Sequence, residues 1–212
     1  MPSRSNMRFV VAIDGPAAAG KGTIAKTVSD RFGFAYLDTG LLYRAVGAKT
    51  LLGEEPVTAA EQLDPEALND SNLRSAEVAI AASRVASIHE VRAILFDFQR
   101  RFAQRAGGSV IDGRDIGTTI CPDADLKLFI TAAPEIRAKR RLEELRENGV
   151  TINYETVLAD LKARDARDMS RQDAPLIAAQ DAEVIDTSDL TITKSTERAV
   201  TLIEAALNLI DQ

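Results

Sequence analysis

One segment near the start of the chain combines small residues, a lysine and a threonine in a spacing suited to holding phosphate. It consists of Gly15, Pro16, Ala17, Ala18, Ala19, Gly20, Lys21, Gly22 and Thr23. An apolar run over 9–14 precedes it and an amphipathic stretch over 20–32 follows it, which predicts a strand, a tight turn and a helix. Backbone N–H groups at such a turn bind an anion, and Lys21 can reach the β- and γ-phosphates of a nucleotide. Thr23 is the candidate ligand of Mg²⁺, with a simple hydroxyl at the helix start as the alternative.

The position of the hydroxyl departs from the general phosphate-binding motif. That motif places Ser or Thr directly after the lysine, whereas here Gly22 intervenes and the hydroxyl belongs to Thr23. The form Gly-Lys-Gly-Thr resembles the one found in nucleoside monophosphate kinases. By itself the motif indicates only that broad group.

The bulk properties of the chain restrict the partners it can have. Its 212 residues suit one globular domain with appended lobes, and a 45% hydrophobic and 27% charged composition is ordinary for such a domain. The net charge of −6 argues against broad binding to nucleic acid or an acidic membrane. There is neither a signal-peptide pattern nor a run of about 18 apolar residues. Cys121, the only cysteine, excludes an intrachain disulfide, so we predict a cytoplasmic protein.

Short apolar runs alternate with longer helical stretches along the chain. The predicted strands are 9–14, 34–37, 109–111, 126–131 and 183–185, and the predicted helices are 21–32, 41–52, 75–105, 134–147, 154–168 and 196–209. This alternation predicts an α/β fold with a parallel five-stranded sheet flanked by helices. A mostly helical excursion over about 39–106 includes a Pro- and acid-rich piece at 53–70, predicted as a loop or short helices, and a small loop lies near 148–153. Both excursions should lie at the sheet edge where strand C-termini open, which is where such folds bind ligands.

Two further clusters follow predicted strands. Residues 38–44 read Asp-Thr-Gly-Leu-Leu-Tyr-Arg, in which Thr39 can cap the next helix and Arg44 lies about one turn inside it. A capping turn with a solvated arginine is the alternative interpretation. Residues 111–118 place Asp112 and Asp115 on either side of Arg114, with glycines that let the backbone approach a ligand. A turn without any ligand is the alternative there.

Arginines are concentrated in two predicted helices near the end of the chain. If residues 164–171 are helical, Arg164, Arg167, Asp168 and Arg171 share one face. A solvated helix with salt bridges is the alternative. The preceding helix adds three more arginines, namely Arg137, Arg140 and Arg141. Because an acidic protein with a phosphate cradle carries all of them, they favour a pocket that holds several phosphates.

From residue 9 to nearly its end, the chain resembles bacterial cytidylate kinases, which are P-loop kinases of nucleoside monophosphates (NMPs). The matching segments are Asp14-Gly15-Pro16 with Gly20-Lys21-Gly22-Thr23, Leu37-Asp38-Thr39-Gly40 with Tyr43-Arg44, Ala82-Ser83-Arg84-Val85-Ala86 with Val91-Arg92, Asp112-Gly113-Arg114-Asp115, and Arg164-Asp165, Arg167-Asp168 and Arg171. The resemblance implies transfer of the γ-phosphoryl group of ATP, with Mg²⁺, to CMP and dCMP. Another small-acceptor P-loop kinase, for UMP or a metabolite such as shikimate, is the alternative.

The resemblance also implies roles for individual residues. The residues expected to bind ATP are 15–23 with Arg137, Arg140 and Arg141, and those expected to be catalytic are Lys21, Arg114 and Arg171. The expected substrate site comprises Thr39, Tyr43, Arg44, Ser83, Arg92, Arg114, Asp115, Arg164, Asp168 and Arg171. Within it, Arg44, Arg114 and Arg171 would hold the acceptor phosphate or the phosphoryl group in transit. Ser83, Arg92 and Asp115 would face cytosine, and Asp168 would face the ribose.

Phosphoryl transfer to an NMP requires positioning and positive charge rather than a general base, since the acceptor is already an anion. Asp115 can accept from the cytosine amino group while Arg92 donates to the ring acceptor. Uracil reverses both polarities, so it would leave mismatched groups. We therefore predict a preference for CMP and dCMP over UMP.

We expect a single P-loop kinase domain over 1–212. Its core would be about 7–38 and 106–212, its NMP-binding lobe about 39–105 and its lid about 142–153, with lobe and lid closing over both substrates to exclude water. We expect a monomer that binds neither nucleic acid nor a membrane. A nucleotide-binding switch is the rival from another class, but the Asn-Lys-x-Asp segment that reads guanine in such switches does not occur.

Overall fold

The computed structural model, which describes residues 8–147 and 149–210, is built on a sheet of five parallel strands. The strands are β1 (Val10–Asp14), β2 (Ala35–Asp38), β3 (Ser109–Asp112), β4 (Leu126–Thr131) and β5 (Glu183–Asp186). Their order across the sheet is β2-β3-β1-β4-β5, and each neighbouring pair is parallel. The predicted five-stranded parallel sheet is confirmed. Because β1 is central, the segment after it emerges in the middle of the ligand-binding edge.

Helices cover both faces of the sheet. They are α1 (Lys21–Phe32), α2 (Thr39–Leu51), α3 (Pro56–Glu61), α4 (Ala76–Val85), α5 (His89–Ala103), α6 (Pro134–Glu147), α7 (Tyr154–Met169) and α8 (Ile192–Ile210). Two 3₁₀ turns, Pro65–Asn69 and Ser71–Arg74, and a π-helical turn, Ile116–Ile120, complete the described elements. The acid-rich piece at 53–70 thus contains short helices, which was one of the two forms predicted for it.

The side chains of β1 alternate between two hydrophobic cores. Val11 and Ile13 pack with residues of α1 and α8, whereas Val10 and Ala12 pack with residues of α2 and α5. All five residues of β1 are buried, which explains its near-continuous apolar sequence. The strand is therefore held rigidly from both sides, and so is the start of the loop that follows it.

The prediction of one long helix over 75–105 is wrong. The chain breaks between α4 and α5: Ile88 is extended (φ −87°, ψ 118°), and the Ser87 hydroxyl donates to the carbonyl oxygen of Arg84 at 2.6 Å. This break turns the chain so that Ser83, near the end of α4, and Arg92, in the first turns of α5, line one cavity.

Close packing of α2 on α4 fixes the position of Ser83. A Cβ at Gly47 in α2 would lie 2.7 Å from the backbone nitrogen of Ala82 in α4. The two helices therefore approach at a distance that only glycine permits, and Ser83 directly follows the contact.

The helices α6 and α7 form a hairpin with a small core of its own. Leu142 and Leu145 pack against Val157 and Leu161. The segment predicted as a lid, 142–153, consists of the last turns of α6 and the link to α7; Asn148 lies outside the described residues. Within the part of the chain described, no helix has the length and apolarity needed to cross a bilayer.

Candidate active site

The predicted phosphate cradle connects β1 to α1. At Gly15 (φ +143°) the backbone passes so close to β4 that a Cβ would lie 1.9 Å from the carbonyl oxygen of Ile130. Gly20 (φ +96°) is the left-handed N-cap residue of α1, and no side chain caps the helix there. The N–H groups of the first turn consequently point into the cradle and are available to an anion. Ala18 is also left-handed (φ +59°), a conformation that is costly for a residue with a Cβ.

Lys21 is buried at the base of the cradle. Its ammonium group donates to the carbonyl oxygen of Pro16 at 3.0 Å and lies 3.9 Å from the Asp112 carboxylate. Burial, reinforced by Arg114, lowers the pKa of Lys21 to about 8, and burial raises the pKa of Asp112 to about 6. Lys21 is therefore a cation that its surroundings neutralise only in part, which suits it to a polyphosphate.

A cavity of about 690 Å³ opens beside the cradle and Lys21. Five arginines line it: Arg44 of α2, Arg74 of the second 3₁₀ turn, Arg114 after β3, Arg141 of α6 and Arg164 of α7. Three regions of the fold thus contribute cations to one space, namely the helical excursion, the sheet edge and the α6–α7 hairpin. The solvated-arginine interpretation does not fit Arg44, because its guanidinium donates to the carbonyl oxygen of Leu73 at 2.6 Å and lines this cavity.

Arg164 marks a position for an anion. Its Nε is buried, and among the described residues no acceptor lies within hydrogen-bond distance of it; the Asp168 carboxylate is 4.0 Å away. Burial and the neighbouring Arg114 lower the pKa of Arg164 to about 9. Since arginine keeps its proton at neutral pH, a buried and unused Nε–H donor near a second guanidinium favours a bound anion at this point.

Asp168 holds two of the arginines, Arg114 and Arg171. Its carboxylate, 1% exposed, accepts from Arg114 Nε at 3.1 Å and forms a short ion pair with Arg171. Burial alone would raise the pKa of Asp168, but Arg114, Arg171 and Arg164 outweigh it and hold that pKa below its usual value. Helix α7 ends at Met169, so Arg171 lies beyond the predicted helical face, and Arg167 is exposed. The contacts of Asp168 with Arg114 and Arg171 fit a site wall better than a solvated helix, and the binding of substrate by these residues stays a prediction.

A smaller cavity of about 50 Å³ lies next to the first, and Gly113, Arg114 and Arg164 line both. Its inner end holds a buried ion pair in which Arg92 Nη2 lies 2.5 Å from Asp115 Oδ2. Burial raises the pKa of Asp115, and Arg92 opposes that effect.

Other predicted substrate residues surround this pair. The Tyr43 hydroxyl accepts from Arg92 Nη1 at 3.4 Å, and Arg167 Nε donates to the Ser83 hydroxyl at 3.4 Å. Thr39 also lines the smaller cavity. It does not cap α2 as the sequence suggested, because it is the first helical residue and its hydroxyl donates to the carbonyl oxygen of Asp112 at 2.8 Å. Thr39 thereby ties α2 to the end of β3.

Sequence comparison agrees with this arrangement. A family model described as cytidylate kinase matches residues 11–65 and 58–205 of the chain. The chain belongs to the cytidylate kinase family. The cytidylate kinase of Cereibacter sphaeroides (strain KD131 / KCTC 12085) is 62% identical over 165 residues, which cover 78% of this chain and 80% of that protein. The cytidylate kinase of Xanthobacter autotrophicus (strain ATCC BAA-1158 / Py2) is 53% identical over 203 residues, which cover 93% of this chain and 98% of that protein.

Solved structures with a similar fold share much less sequence with this chain than the cytidylate kinases do. An uncharacterized protein from Eubacterium ventriosum aligns with a TM-score of 0.57 at 19% identity, covering 94% of this chain and 99% of that one. Shikimate kinase from Bacteroides thetaiotaomicron aligns with a TM-score of 0.53 at 12% identity, covering 92% and 98%. The five-stranded parallel sheet with flanking helices is thus the P-loop kinase architecture.

The three arginines of α6 that were expected to bind ATP lie in three different surroundings. Arg141 lines the main cavity and pairs with Glu144 at 2.7 Å. Arg140 donates to the hydroxyl and carbonyl oxygens of Thr187 and lines a separate cavity beside the cradle. Arg137 lines neither of these cavities.

Arg137 supports the cradle from behind. Its buried guanidinium donates to both carboxylate oxygens of Asp165, at 3.1 and 2.6 Å, and to the carbonyl oxygens of Ala132 and Ala17 at 2.9 and 3.3 Å. These contacts use four of its five N–H donors, which leaves little for the direct contact with the donor phosphates that was expected. A positioning role for Arg137 fits them instead.

The sequence analysis missed one part of the site, a cavity beside the cradle. The cavity beside the cradle has a volume of about 270 Å³, and Thr187, Leu190 and Ile192 form one of its walls. The Thr187 hydroxyl lies 3.0 Å from the carbonyl oxygen of Ala19, so this wall is bound to the cradle. The signal was available, because Thr187 directly follows β5 at the carboxyl edge of the sheet.

Proposed function

We propose that this protein transfers the γ-phosphoryl group of ATP to CMP and dCMP, giving CDP and dCDP. Family membership supports this, and one structural observation carries it. Two cavities that share Gly113, Arg114 and Arg164 as lining residues extend from the phosphate cradle to the buried Arg92–Asp115 pair, and the Arg164 Nε between them has no hydrogen-bond partner among the described residues. Such an arrangement suits two nucleotides placed end to end, with their phosphates at the arginines.

The donor nucleoside fits beside the cradle. Ala18, Gly20 and Thr23 line both the main cavity and the neighbouring cavity of about 270 Å³. The apolar side chains of Ile24, Leu190 and Ile192 suit a flat purine, and their proximity to the cradle suits a triphosphate. ATP therefore fits with its base here and its phosphates on the amides of α1.

The acceptor base fits at the Arg92–Asp115 pair. A carboxylate that accepts from the cytosine amino group, beside a guanidinium that donates to the ring acceptor, matches cytosine. Uracil would present its carbonyl to Asp115 and its N–H to Arg92, and buried mismatches of this kind discriminate strongly. Asp168 lines the same small cavity and suits the ribose. If Asp168 contacts the 3′-hydroxyl of the sugar, which deoxyribose also has, the site accepts dCMP as well as CMP.

Transfer in this site depends on positive charge and alignment. The acceptor phosphate attacks as an anion, so no side chain has to remove a proton. Lys21, Arg114 and Arg171 stabilise the charge that spreads over the phosphoryl group, and Arg44 and Arg164 hold the acceptor phosphate. These cations are buried or half-buried, which strengthens their effect relative to cations in water.

The residues at the cradle fit Mg²⁺ bound mainly through substrate. No group of three or more His, Cys, Asp or Glu side chains that could hold a metal occurs among the described residues. Mg²⁺ is commonly held by one or two protein groups plus water and substrate phosphates. The Thr23 hydroxyl, at the cradle and facing the cavity, is the group that would hold it together with ATP. Mg²⁺ supplies charge neutralisation at the β- and γ-phosphates.

The helical excursion over 39–105 acts as the NMP-binding lobe and 142–153 as the lid, closing when both substrates are bound. The contact between Arg167 of α7 and Ser83 of α4 supports this, because it joins the lobe to the core across the acceptor site. We further infer a cytoplasmic monomer, which the single buried cysteine and the acidic net charge support. Size-exclusion chromatography with light scattering tests the monomer.

The decisive experiment is a coupled assay of ADP release with Mg-ATP and five separate acceptors: CMP, dCMP, UMP, AMP and shikimate. We expect rapid turnover with CMP and dCMP and a kcat/KM for UMP that is lower by about 10²-fold or more. Equal turnover of UMP and CMP would refute the base assignment. ADP release without any acceptor would favour a nucleotide switch, and turnover of shikimate alone would favour a metabolite kinase.

A further inference from the structure

The segment that carries Arg114 and Asp115 is anchored on both sides to β1. On the N-terminal side, the Gly113 N–H donates to the carbonyl oxygen of Ile13 at 2.9 Å, which continues the pairing of β3 with β1. On the C-terminal side the chain has left the sheet. There the anchor is the Asp14 side chain.

The Asp14 carboxylate uses both of its oxygens for this anchor. One oxygen accepts from the N–H of Ile116 at 2.8 Å, and the other accepts from the N–H of Gly117 at 2.7 Å. These are the first two N–H groups of the π-helical turn Ile116–Ile120, whose own N-cap residue, Asp115, makes no capping bond with its side chain. Asp14 thus caps this turn from another strand, which leaves the Asp115 carboxylate to pair with Arg92.

The surroundings of Asp14 show that the carboxylate is held for these two bonds. Its side chain is buried and lines none of the cavities described above. The charged groups facing it are Asp115 and Lys21, and the Lys127 stem packs over Gly117. Burial raises the pKa of Asp14 to about 7, and its hydrogen bonds with the N–H groups of Gly117 and Ile116 oppose that effect.

We infer that Asp14 is a positioning residue for the acceptor: by holding Ile116 and Gly117, it sets the direction in which Arg114 and Asp115 point into the site. Because Gly15 follows Asp14 directly, the same strand end fixes the donor cradle and the acceptor-reading segment relative to each other. This inference rests on the proposed function, since it concerns the acceptor end of that site.

The test replaces Asp14 by Asn, which has nearly the same shape. Asn offers one acceptor, so one of the two N–H groups loses its partner and faces an amide donor instead. Asp125→Asn is the control for a carboxylate that also holds β1: the Asp125 carboxylate accepts from the N–H of Val10 at 2.7 Å, at the opposite end of the same strand. Asp14→Ser is a second variant, which fits the space and cannot bridge both N–H groups.

The readouts are the KM values for CMP and ATP and the ratio of kcat/KM for CMP to that for UMP. The ratio is independent of the fraction of enzyme that is folded, so it separates positioning from stability. We expect Asp14→Asn and Asp14→Ser to raise the KM for CMP and to lower the ratio by about 10-fold each, with the KM for ATP changed by less than about 2-fold. Asp125→Asn should leave all three unchanged.

The inference is overturned if the Asp14 variants change both KM values equally or keep the CMP-to-UMP ratio of the unmodified protein. Hydrogen exchange provides a readout without substrate: the Ile116 and Gly117 N–H groups should exchange faster in Asp14→Asn than in Asp125→Asn, and equal rates would also overturn it. If the unmodified protein itself fails to phosphorylate CMP, the proposed function fails. That outcome is distinct from the failure of Asp14 as a positioning residue.

Discussion

Replacing Arg164 by Met should stabilise the ligand-free protein while it removes most of the activity. The Arg164 side chain is half-buried near Arg114, and its buried Nε has no hydrogen-bond partner among the described residues. Methionine retains much of the apolar stem and loses the charge. Asp168 keeps its contacts with Arg114 and Arg171, so the substitution leaves no carboxylate unpaired.

The size of the expected change in stability follows from the pKa of Arg164. Burial and Arg114 lower the pKa of Arg164 from 12.5 to about 9, and the protonated form is therefore disfavoured in the folded protein. The resulting cost is present in full below pH 9 and shrinks between pH 9 and the unfolded value. At about 1.4 kcal/mol per unit, the full shift corresponds to roughly 5 kcal/mol. Because 25% of the side chain is exposed to water, we discount this and expect the free energy of unfolding to rise by about 1–3 kcal/mol.

The assay is urea unfolding at pH 7 with and without inorganic phosphate, together with CMP turnover. Lys162→Met on the same helix is the control, because Lys162 belongs to an exposed pair with Glu135 at 3.7 Å and should change stability by less than about 0.5 kcal/mol. We expect phosphate to stabilise the unmodified protein more than Arg164→Met, and kcat/KM for CMP to fall by about 10²-fold or more in the variant. The reasoning is refuted if Arg164→Met is less stable than the unmodified protein without phosphate, or if phosphate stabilises both equally.

Three other predictions concern the cradle and the base site. Lys21→Met should lower kcat by about 10³-fold. In the unmodified protein, kcat/KM for ATP should fall above a pH of about 8, where the ammonium group of Lys21 loses its proton. A pH profile that stays flat through that value would contradict the low pKa of Lys21. Asp115→Asn should lower kcat/KM for CMP by about 10²-fold and narrow the preference over UMP, since the amide can donate to the uracil carbonyl; an unchanged preference would show that Asp115 does not read the base. Ala18→Gly should stabilise the protein by about 0.5 kcal/mol, because relief of the left-handed strain (φ +59°) exceeds the added freedom of the unfolded chain. Ala17→Gly, made as the control, should destabilise it. Thermal unfolding shows whether the changes in stability of the two variants have opposite signs.

Sequence reasoning predicted best where the determining interactions are local. The cradle is recognisable because Gly15, Gly20 and Lys21 act through the backbone geometry of one turn. The five strands are recognisable because strands buried on both faces require continuous apolar runs, as in β1. The parallel sheet follows from their alternation with helices.

The errors lie where distant segments decide the outcome. The break between α4 and α5 has no Gly or Pro to mark it, and Val85, Ile88 and Val91 on both sides of it pack into one core that includes residues of the sheet. Thr39 looked like a cap, but the carbonyl oxygen of Asp112 in another strand takes its hydroxyl. Arg137 was expected to bind phosphate; Asp165 and the carbonyl oxygens of Ala132 and Ala17 take four of its five donors, so a direct phosphate contact stays an untested prediction.

By itself, the sequence determined the type of fold, the cradle and the set of cationic and acidic residues available to the site. Only the tertiary structure decided which of these groups point into the common space, since hydrogen bonds between residues far apart in the chain orient them. Asp14 shows the difference: its sequence position marks the end of a strand, whereas its two bonds to Ile116 and Gly117 depend on the parallel register of β1 and β3.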